Sequence, residues 1–557
     1  MIPSDVKLLP TEQLRNLAED VRERILETVG ENGGHLASSL GAVELAIGLV
    51  RVFDPADDRI VWDVGHQAYA WKILTGRDGA FGTLRLHNGL SGFPNPEESP
   101  CDAFVGGHAG AALAVAQGMA AARDRRGGTE SVVAVVGEAS LANGMALEAL
   151  LAMRLFKRLI LVLNDNASTP AFDRSFFESL GLAYQGPVDG NDVIAVEEAL
   201  RESLQDGRAG ARPSRDGAVV VHFRTVKGRG YAPAEADPVA WHGVPPHVFG
   251  APAKAGAENS WSGAFGHALV GLARRDARIC AVVAAMPHGT GLMPFAQAYP
   301  DRFFDVGICE ERAVTFAAGL AKSGMKPVVA IYSTFLQRAF DQIMHDVCIL
   351  NLPVVFAIDR AGCVGGDGRT HHGMFDIPML RCLPNMSVLQ PRDAAHLDGM
   401  LAAAFAKGGP VAIRWPRGGL PPDEPAKPFV WGTAEQLSAP EARVQLWALG
   451  DQVPKARRAA DILAGAGIAA GVVDARFVKP FDAALLARQR AAGAFIASLE
   501  NGAVAGGFGE AIGAAARFGW PDEFVGHGSV EELEGDFGFT AQDVARRVAS
   551  ALGKAGI

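Results

Sequence analysis

At 557 residues the chain is too long for one hydrophobic core, and about 150 residues per domain gives three or four units. Its 52 basic and 62 acidic side chains leave a net charge of -10, with none of the basic stripe that nucleic acid requires, so a small-molecule substrate is expected. Apolar residues make up 49% and charged residues 20%, an ordinary globular balance. No run reaches the roughly 18 apolar residues of a membrane span. The opening MIPSDVKLLP has no basic segment followed by an apolar one. Cys101, Cys280, Cys309, Cys348, Cys363 and Cys382 are scattered without CxxC spacing, and most of them read as buried small hydrophobes. A soluble, cytoplasmic protein is expected, with neither nucleic acid nor membrane as partner.

In chain order, SVVAVVGE (131–138), RLILVLNDN (158–166) and GAVVVHFRT (217–225) are continuously apolar runs ending in polar residues. That is the pattern of parallel strands covered on both faces. Helical stretches such as GMALEALLAMRLF (144–156) lie between them, giving a βαβ rhythm and a doubly wound α/β sheet. The rhythm stops in HGVPPHVFGAPAKAGAE (242–258), read as a linker. A second block follows with RICAVVAAM (278–286), KPVVAIYSTF (326–335), PVVFAIDRAG (353–362), MSVLQP (386–391) and PVAIRWPRG (410–418). After GGLPPDEPAKP (418–428), a third holds RVQLWALG (443–450), AAGVVDARFVKP (469–480) and AFIASLENG (494–502). Three α/β domains are expected, over 1–250, 258–420 and 430–557.

Ligands of open parallel sheets bind at the carboxyl ends of strands. There, Gly137-Glu138-Ala139-Ser140 follows one strand and Leu163-Asn164-Asp165-Asn166 closes the next. A carboxylate and an amide oxygen at adjacent strand ends suit a hard cation such as Mg²⁺ with a diphosphate; acids also end strands without one. Asp305 to Arg312 runs into an apolar helix with a Glu pair at its start. That pair reads either as a helix-terminal carboxylate or as one facing a buried ligand. His35, His66 and His108 each lie in a Gly-flanked loop, suggesting a shared polar cleft, and His371 repeats the pattern in the second block.

The stretches DRIVWDVGHQAYAWKILTGR (58–77), GLSGFP (89–94), GPVDGND (186–192), KGRGYAPAEADP (227–238), IYSTFLQRAFDQI (331–343), IDRAGCVGGDGRTHHGMFD (358–376), RWPRG (414–418) and DARFVKPFD (474–482) make the chain resemble the 1-deoxy-D-xylulose-5-phosphate synthases, relatives of transketolase. The resemblance runs in order from about residue 8 to the end. It implies a transketolase-like fold of diphosphate-binding, pyrimidine-binding and C-terminal domains, and a homodimer. It also implies a transferase that condenses pyruvate, losing CO₂, with D-glyceraldehyde 3-phosphate. The product, 1-deoxy-D-xylulose 5-phosphate, feeds isoprenoid, thiamine and pyridoxal biosynthesis. Thiamine diphosphate is the electron sink and Mg²⁺ its metal.

Roles follow from the resemblance position by position. Glu310 matches the carboxyl that activates the cofactor through its aminopyrimidine nitrogen, and it must be protonated to do so. Phe335 matches the ring that stacks on the aminopyrimidine. His35, His66 and His108 line the cofactor and substrate cleft, and Lys227 and His242 lie near its mouth. Tyr332, Arg338, Arg360, Asp367, His371 and Arg417 face substrate, with Arg360 and Arg417 clamping the triose phosphate. Glu138, Asn166 and the Ser168 carbonyl hold positions of metal ligands, flanked by Gly137 and Ala139.

The departures from the family pattern lie in the cofactor half. Gly137-Glu138-Ala139 stands where the family has Gly-Asp-Gly, lengthening the carboxylate by one methylene and adding a Cβ. Ala109-Gly110-Ala111-Ala112 replaces hydroxyl residues after His108, and Arg312 stands where many members have His. Roughly fifty residues that the family carries after the position of Ser168-Thr169 are absent, leaving a connection of more usual length. Three functions remain open on these residues: the synthase itself, a thiamine-diphosphate enzyme of other specificity, or a non-catalytic paralogue binding a sugar phosphate or a partner subunit.

Overall fold

The unbroken apolar runs become strands because every residue in them has a core to face. In Val132–Gly137 and Leu159–Asp165, Val133, Val135, Ile160 and Val162 enter one hydrophobic cluster, while Val132, Ala134, Leu161 and Leu163 enter another. Successive side chains leave opposite faces of a strand, so burial on both faces erases the polar alternation. The computed structural model describes residues 2–166, 172–204, 217–247, 259–424 and 429–554. The chain divides into two units, Met1–Lys254 and Ala255–Ile557.

The first unit carries a five-stranded parallel sheet in the order Arg59–Trp62, Val132–Gly137, Leu159–Asp165, Val219–Arg224, Ala183–Asp189. Its register sets Gly137 beside Asn164 and Asp165 beside Arg224, so the polar strand ends open at one level. The start of the segment read as a linker is structured instead: Gly243–Val244 pairs antiparallel with Gly34–His35. The remainder of that segment, 248–258, lies outside the described residues. This small ribbon carries His35 and ends the stretch that bears His242.

The second unit holds two sheets. A seven-stranded one runs Phe477–Lys479, Ser387–Leu389, Val411–Arg414, Val355–Asp359, Lys326–Tyr332, Ile279–Val283, Phe303–Asp305. A five-stranded one runs Glu435–Ser438, Ala470–Asp474, Val444–Ala448, Phe495–Ala503, Ala516–Trp520. One hydrophobic cluster serves both, joining Val329, Ile331 and Ile358 of the larger sheet to Trp447, Val473 and Ile496 of the smaller. The strand Phe477–Lys479 comes from the third sequence block yet pairs antiparallel with Ser387–Leu389 of the second.

Candidate active site

In the first unit, the expected histidines His35, His66 and His242 meet. The rings of His35, His66 and His242 lie 5.8 Å (His35 to His66), 5.5 Å (His35 to His242) and 5.2 Å (His66 to His242) apart by centroid. Phe93 closes on His35 edge-on at 5.4 Å. Gly34 permits the approach: its φ is +143°, and a Cβ there would sit 2.7 Å from the Tyr69 hydroxyl that accepts the His35 N–H. The Ser39 hydroxyl donates to the His66 carbonyl at 2.9 Å, and Ser38 Oγ pairs with His242 Nδ1 at 3.2 Å. Burial, helped by the Lys227 cation, pushes the His242 imidazolium down to about 4, so the ring is neutral near pH 7. His108 is half-buried on a loop that Asp63 ties down by accepting the Gly110 N–H at 2.9 Å and the Ala112 N–H at 3.0 Å.

The strand ends next to this cluster carry the expected metal ligands. Glu138 opens a short helix, Glu138–Leu141, with Gly137 before it and nothing within 4 Å of where a Gly137 Cβ would be. Ala139 is exposed. The Asn166 N–H donates to Glu138 Oε2 at 3.4 Å, so these two groups stand side by side. Burial pushes the Glu138 carboxyl up while Lys227 pulls it down. Lys227 thus acts electrostatically on both Glu138 and His242. Ser168, with the short connection after it, lies outside the described residues.

In the second unit, Glu310 is the first residue of the helix Glu310–Lys322 and is 5% exposed. Burial pushes its carboxyl above the ordinary range, against the pull of Arg338, whose Nε lies 3.8 Å from Oε2. Oε2 accepts no hydrogen bond among the described residues. Arg338, expected to face substrate, therefore stands beside the Glu310 carboxyl. Phe335 stacks on Tyr332 at 5.6 Å with planes 12° apart, and His371 meets Phe335 edge-on at 5.6 Å. The Arg360 guanidinium lies 3.9 Å over the Tyr332 ring. Burial pushes the Tyr332 hydroxyl up to about 12, so it stays protonated. Arg417 Nη1 pairs with Asp367 Oδ2 at 3.2 Å and donates to the Val364 carbonyl at 3.3 Å. Thr334 binds the loop bearing His371 by donating to the Thr370 carbonyl at 2.8 Å.

Some residues of both clusters carried a signal that went unread. Asp63, which holds the His108 loop, directly follows the strand Arg59–Trp62. Asp359 ends Val355–Asp359 immediately before Arg360. Both are carboxylates at parallel strand ends, the same signal that singled out Glu138. Ser38 and Thr334 carry none; only the fold brings them to His242 and Thr370. A third polar cluster is not a metal centre: His396, Glu435 and Asp474 converge, but Arg392 donates to Glu435 at 2.8 Å and Asp474 at 3.0 Å, and Arg476 donates to Glu435.

The two C-terminal blocks define a class. Residues 257–422 match the transketolase pyrimidine-binding domain and residues 432–544 the transketolase C-terminal domain. The transketolase of Leishmania mexicana, at 18% identity over 98% of both chains, superposes with a TM-score of 0.49. The chain is a transketolase-type transferase, a class built on thiamine diphosphate. The first block narrows this, since residues 1–171 match the model described as 1-deoxy-D-xylulose-5-phosphate synthase. The 1-deoxy-D-xylulose-5-phosphate synthase 2 of Geobacter sulfurreducens is 43% identical, covering 98% of this chain and 97% of its own. The synthase of Thermomicrobium roseum is 44% identical, covering 99% and 96%. The chain belongs to the 1-deoxy-D-xylulose-5-phosphate synthase family. The first of these alignments spans 619 positions against 557 residues here, so the relative carries residues inside the aligned span that this chain lacks. The N-terminal match ends at residue 171, beside the shortened connection.

Proposed function

We propose that this chain condenses pyruvate, with loss of CO₂, with D-glyceraldehyde 3-phosphate to give 1-deoxy-D-xylulose 5-phosphate. The observation that carries the reading is Glu310, a buried carboxyl held above its ordinary pKa with one oxygen accepting no hydrogen bond among the described residues. Such a carboxyl suits the aminopyrimidine of thiamine diphosphate, because a protonated acid can donate to a ring nitrogen. Bound there, the cofactor supplies the electron sink for decarboxylation and carbon–carbon bond formation.

The chain's own groups then divide the work. Glu310 presents its proton to the pyrimidine, and Arg338 sets how firmly that proton is held. Phe335 supports the ring. Neutral His242, with His35 and His66, takes and returns protons at substrate oxygens, as does His371 on the acceptor side. Arg360 and Arg417 hold the phosphate, with Asp367 orienting Arg417. Glu138 and Asn166 offer hard oxygen donors, so Mg²⁺ is the metal we assign with the cofactor, and Gly137 leaves room for the diphosphate.

Purified chain supplied with carboxyl-labelled pyruvate, glyceraldehyde 3-phosphate, thiamine diphosphate and Mg²⁺ is expected to release labelled CO₂ and form deoxyxylulose phosphate. Absence of product while cofactor binds would overturn the donor and acceptor assignment. Glu138 and Ala139 favour a second reading, a paralogue without cofactor. Calorimetric titration with thiamine diphosphate and Mg²⁺ separates the two. We also propose a homodimer, on the apolar side chains left exposed: Leu151 (61%) and Leu155 (71%) in one unit, Ile349 (65%) and Leu350 (56%) in the other. Sedimentation at micromolar concentration reads the state directly. No helix among the described residues is long and apolar enough to cross a membrane, and we place the enzyme in the cytoplasm.

A further inference from the structure

Arg360 adopts a φ of +56°, a left-handed conformation that β-carbon-bearing residues rarely take. The carboxylate before it holds it there. Asp359 Oδ1 accepts the backbone N–H of Arg360 at 2.7 Å and lies 3.0 Å from its Nη1. Asp359 Oδ2 accepts the Ser262 hydroxyl at 2.6 Å. Asp359 is 1% exposed and stands in register with Tyr332 at the carboxyl end of the sheet. Arg360 Nη1 also donates to the Gly289 carbonyl at 2.8 Å, and the guanidinium covers Tyr332. Gly289 has to be glycine, because a Cβ would overlap the Tyr332 hydroxyl. One nitrogen and one face of the guanidinium are therefore committed. Nε and Nη2 donate to no group among the described residues, and the side chain is 23% exposed.

We propose that Asp359 is a positioning residue for phosphate recognition: it fixes the backbone and Nη1 of Arg360 so that the Nε–Nη2 edge meets the phosphate of the acceptor aldehyde, and Ser262 fixes Asp359 in turn. The proposal rests on the assignment of Arg360 as a phosphate clamp. A carboxylate beside an anion site is electrostatically unfavourable, because like charges repel. Asp359 earns its place through geometry rather than field, and this gives opposite signs for one substitution. Asp359→Asn removes the negative charge at constant shape, so a purely electrostatic role makes the variant bind phosphate more tightly. A positioning role makes it bind more weakly, because only one acceptor oxygen remains for the Ser262 hydroxyl and the two Arg360 donors, and a neutral amide holds the guanidinium less firmly than a carboxylate.

The quantity to measure is the ratio of kcat/KM for D-glyceraldehyde 3-phosphate over that for D-glyceraldehyde, together with the inhibition constant of inorganic phosphate. In Asp359→Asn the ratio is expected to fall roughly tenfold or more, with the phosphate constant rising in parallel, as for a lost charge-assisted bond. Ser262→Ala is expected to move both in the same direction by less. An unchanged or higher ratio in Asp359→Asn overturns the proposal. If Asp359→Asn does not fold, Ser262→Ala decides, and an unchanged ratio there overturns it as well. Arg360→Ala is measured alongside. If it keeps the ratio, the clamp assignment falls and the proposal with it; if it loses the ratio while Asp359→Asn keeps it, only the positioning role falls.

Discussion

Glu310 sits where two forces pull its carboxyl in opposite directions. The helix it opens favours the anion, while burial at 5% exposure favours the acid and wins. Replacing it by Gln keeps the shape and removes the proton that has to move. Glu310→Gln is expected to bind thiamine diphosphate within a few-fold of the parent by calorimetry and to lose turnover by several orders of magnitude. Turnover within a few-fold of the parent would refute the role. The pair Glu310-Glu311 was legible as carboxylates where an apolar strand gives way to a helix, but only the resemblance singled out Glu310. A shared cleft for His35 and His66 was expected from their Gly-flanked loops, whereas the place of His242 beside them came only from the resemblance, because it lies 176 residues beyond His66 and joins through the ribbon of Gly34–His35 with Gly243–Val244.

The strands show why part of the fold was readable. All the long central strands were visible as apolar runs, because both their faces are buried. Arg59–Trp62, Ala183–Asp189, Glu435–Ser438 and Ala516–Trp520 were not, and each is the edge of its sheet. An edge strand is wetted along one side and carries polar residues that break the run, as in the exposed Asp189 and Ser438. The strand ends also set two predictions. Glu138→Asp with Ala139→Gly is expected to tighten thiamine diphosphate binding in Mg²⁺ and to do so less in Mn²⁺, since Mg²⁺ demands short octahedral contacts. Equal affinity of parent and variant in Mg²⁺ would show that the longer carboxylate is accommodated. The second concerns Glu500, buried within Phe495–Ala503 and accepting the N–H groups of Phe508 (2.6 Å) and Gly509 (2.8 Å). Burial pushes this carboxyl from 4.5 up to about 7. A raised pKa means the native state holds the proton more tightly than the unfolded chain, so its contribution is full below about 4.5 and lost as pH rises through about 7. The Gln amide can accept only one of the two N–H groups, so in thermal melts Glu500→Gln is expected to start below the parent at pH 4, and the stability difference between the two should shift in favour of the variant by about 3 kcal/mol between pH 4 and 8. Parallel curves would refute the shift.

At the scale of the whole molecule, the second unit is held together by charge as well as by its shared core. Arg392, 4% exposed and following Ser387–Leu389 of the larger sheet, binds Glu435 at 2.8 Å and Asp474 at 3.0 Å in the smaller one. Removing one member of a buried ion group strands the others, so Arg392→Ala is expected to lower the stability of this unit by about 3–5 kcal/mol in urea titrations. A loss under 1 kcal/mol, within the range of an exposed pair, would show that solvent already reaches the cluster. The strand Phe477–Lys479 has a further consequence for how this polypeptide can be cut. It supplies the outer pairing partner of Ser387–Leu389. A gene fragment stopping near residue 430 would leave that row of N–H and C=O groups bare, and bare edges recruit one another into aggregates. Each described sheet draws its strands from one unit, so severing the chain near Lys254 breaks no described strand ladder. Production as two polypeptides, 1–254 and 255–557, is therefore expected to leave every described sheet whole, whereas a second cut near residue 430, though the sequence blocks invite it, is expected to give inclusion bodies.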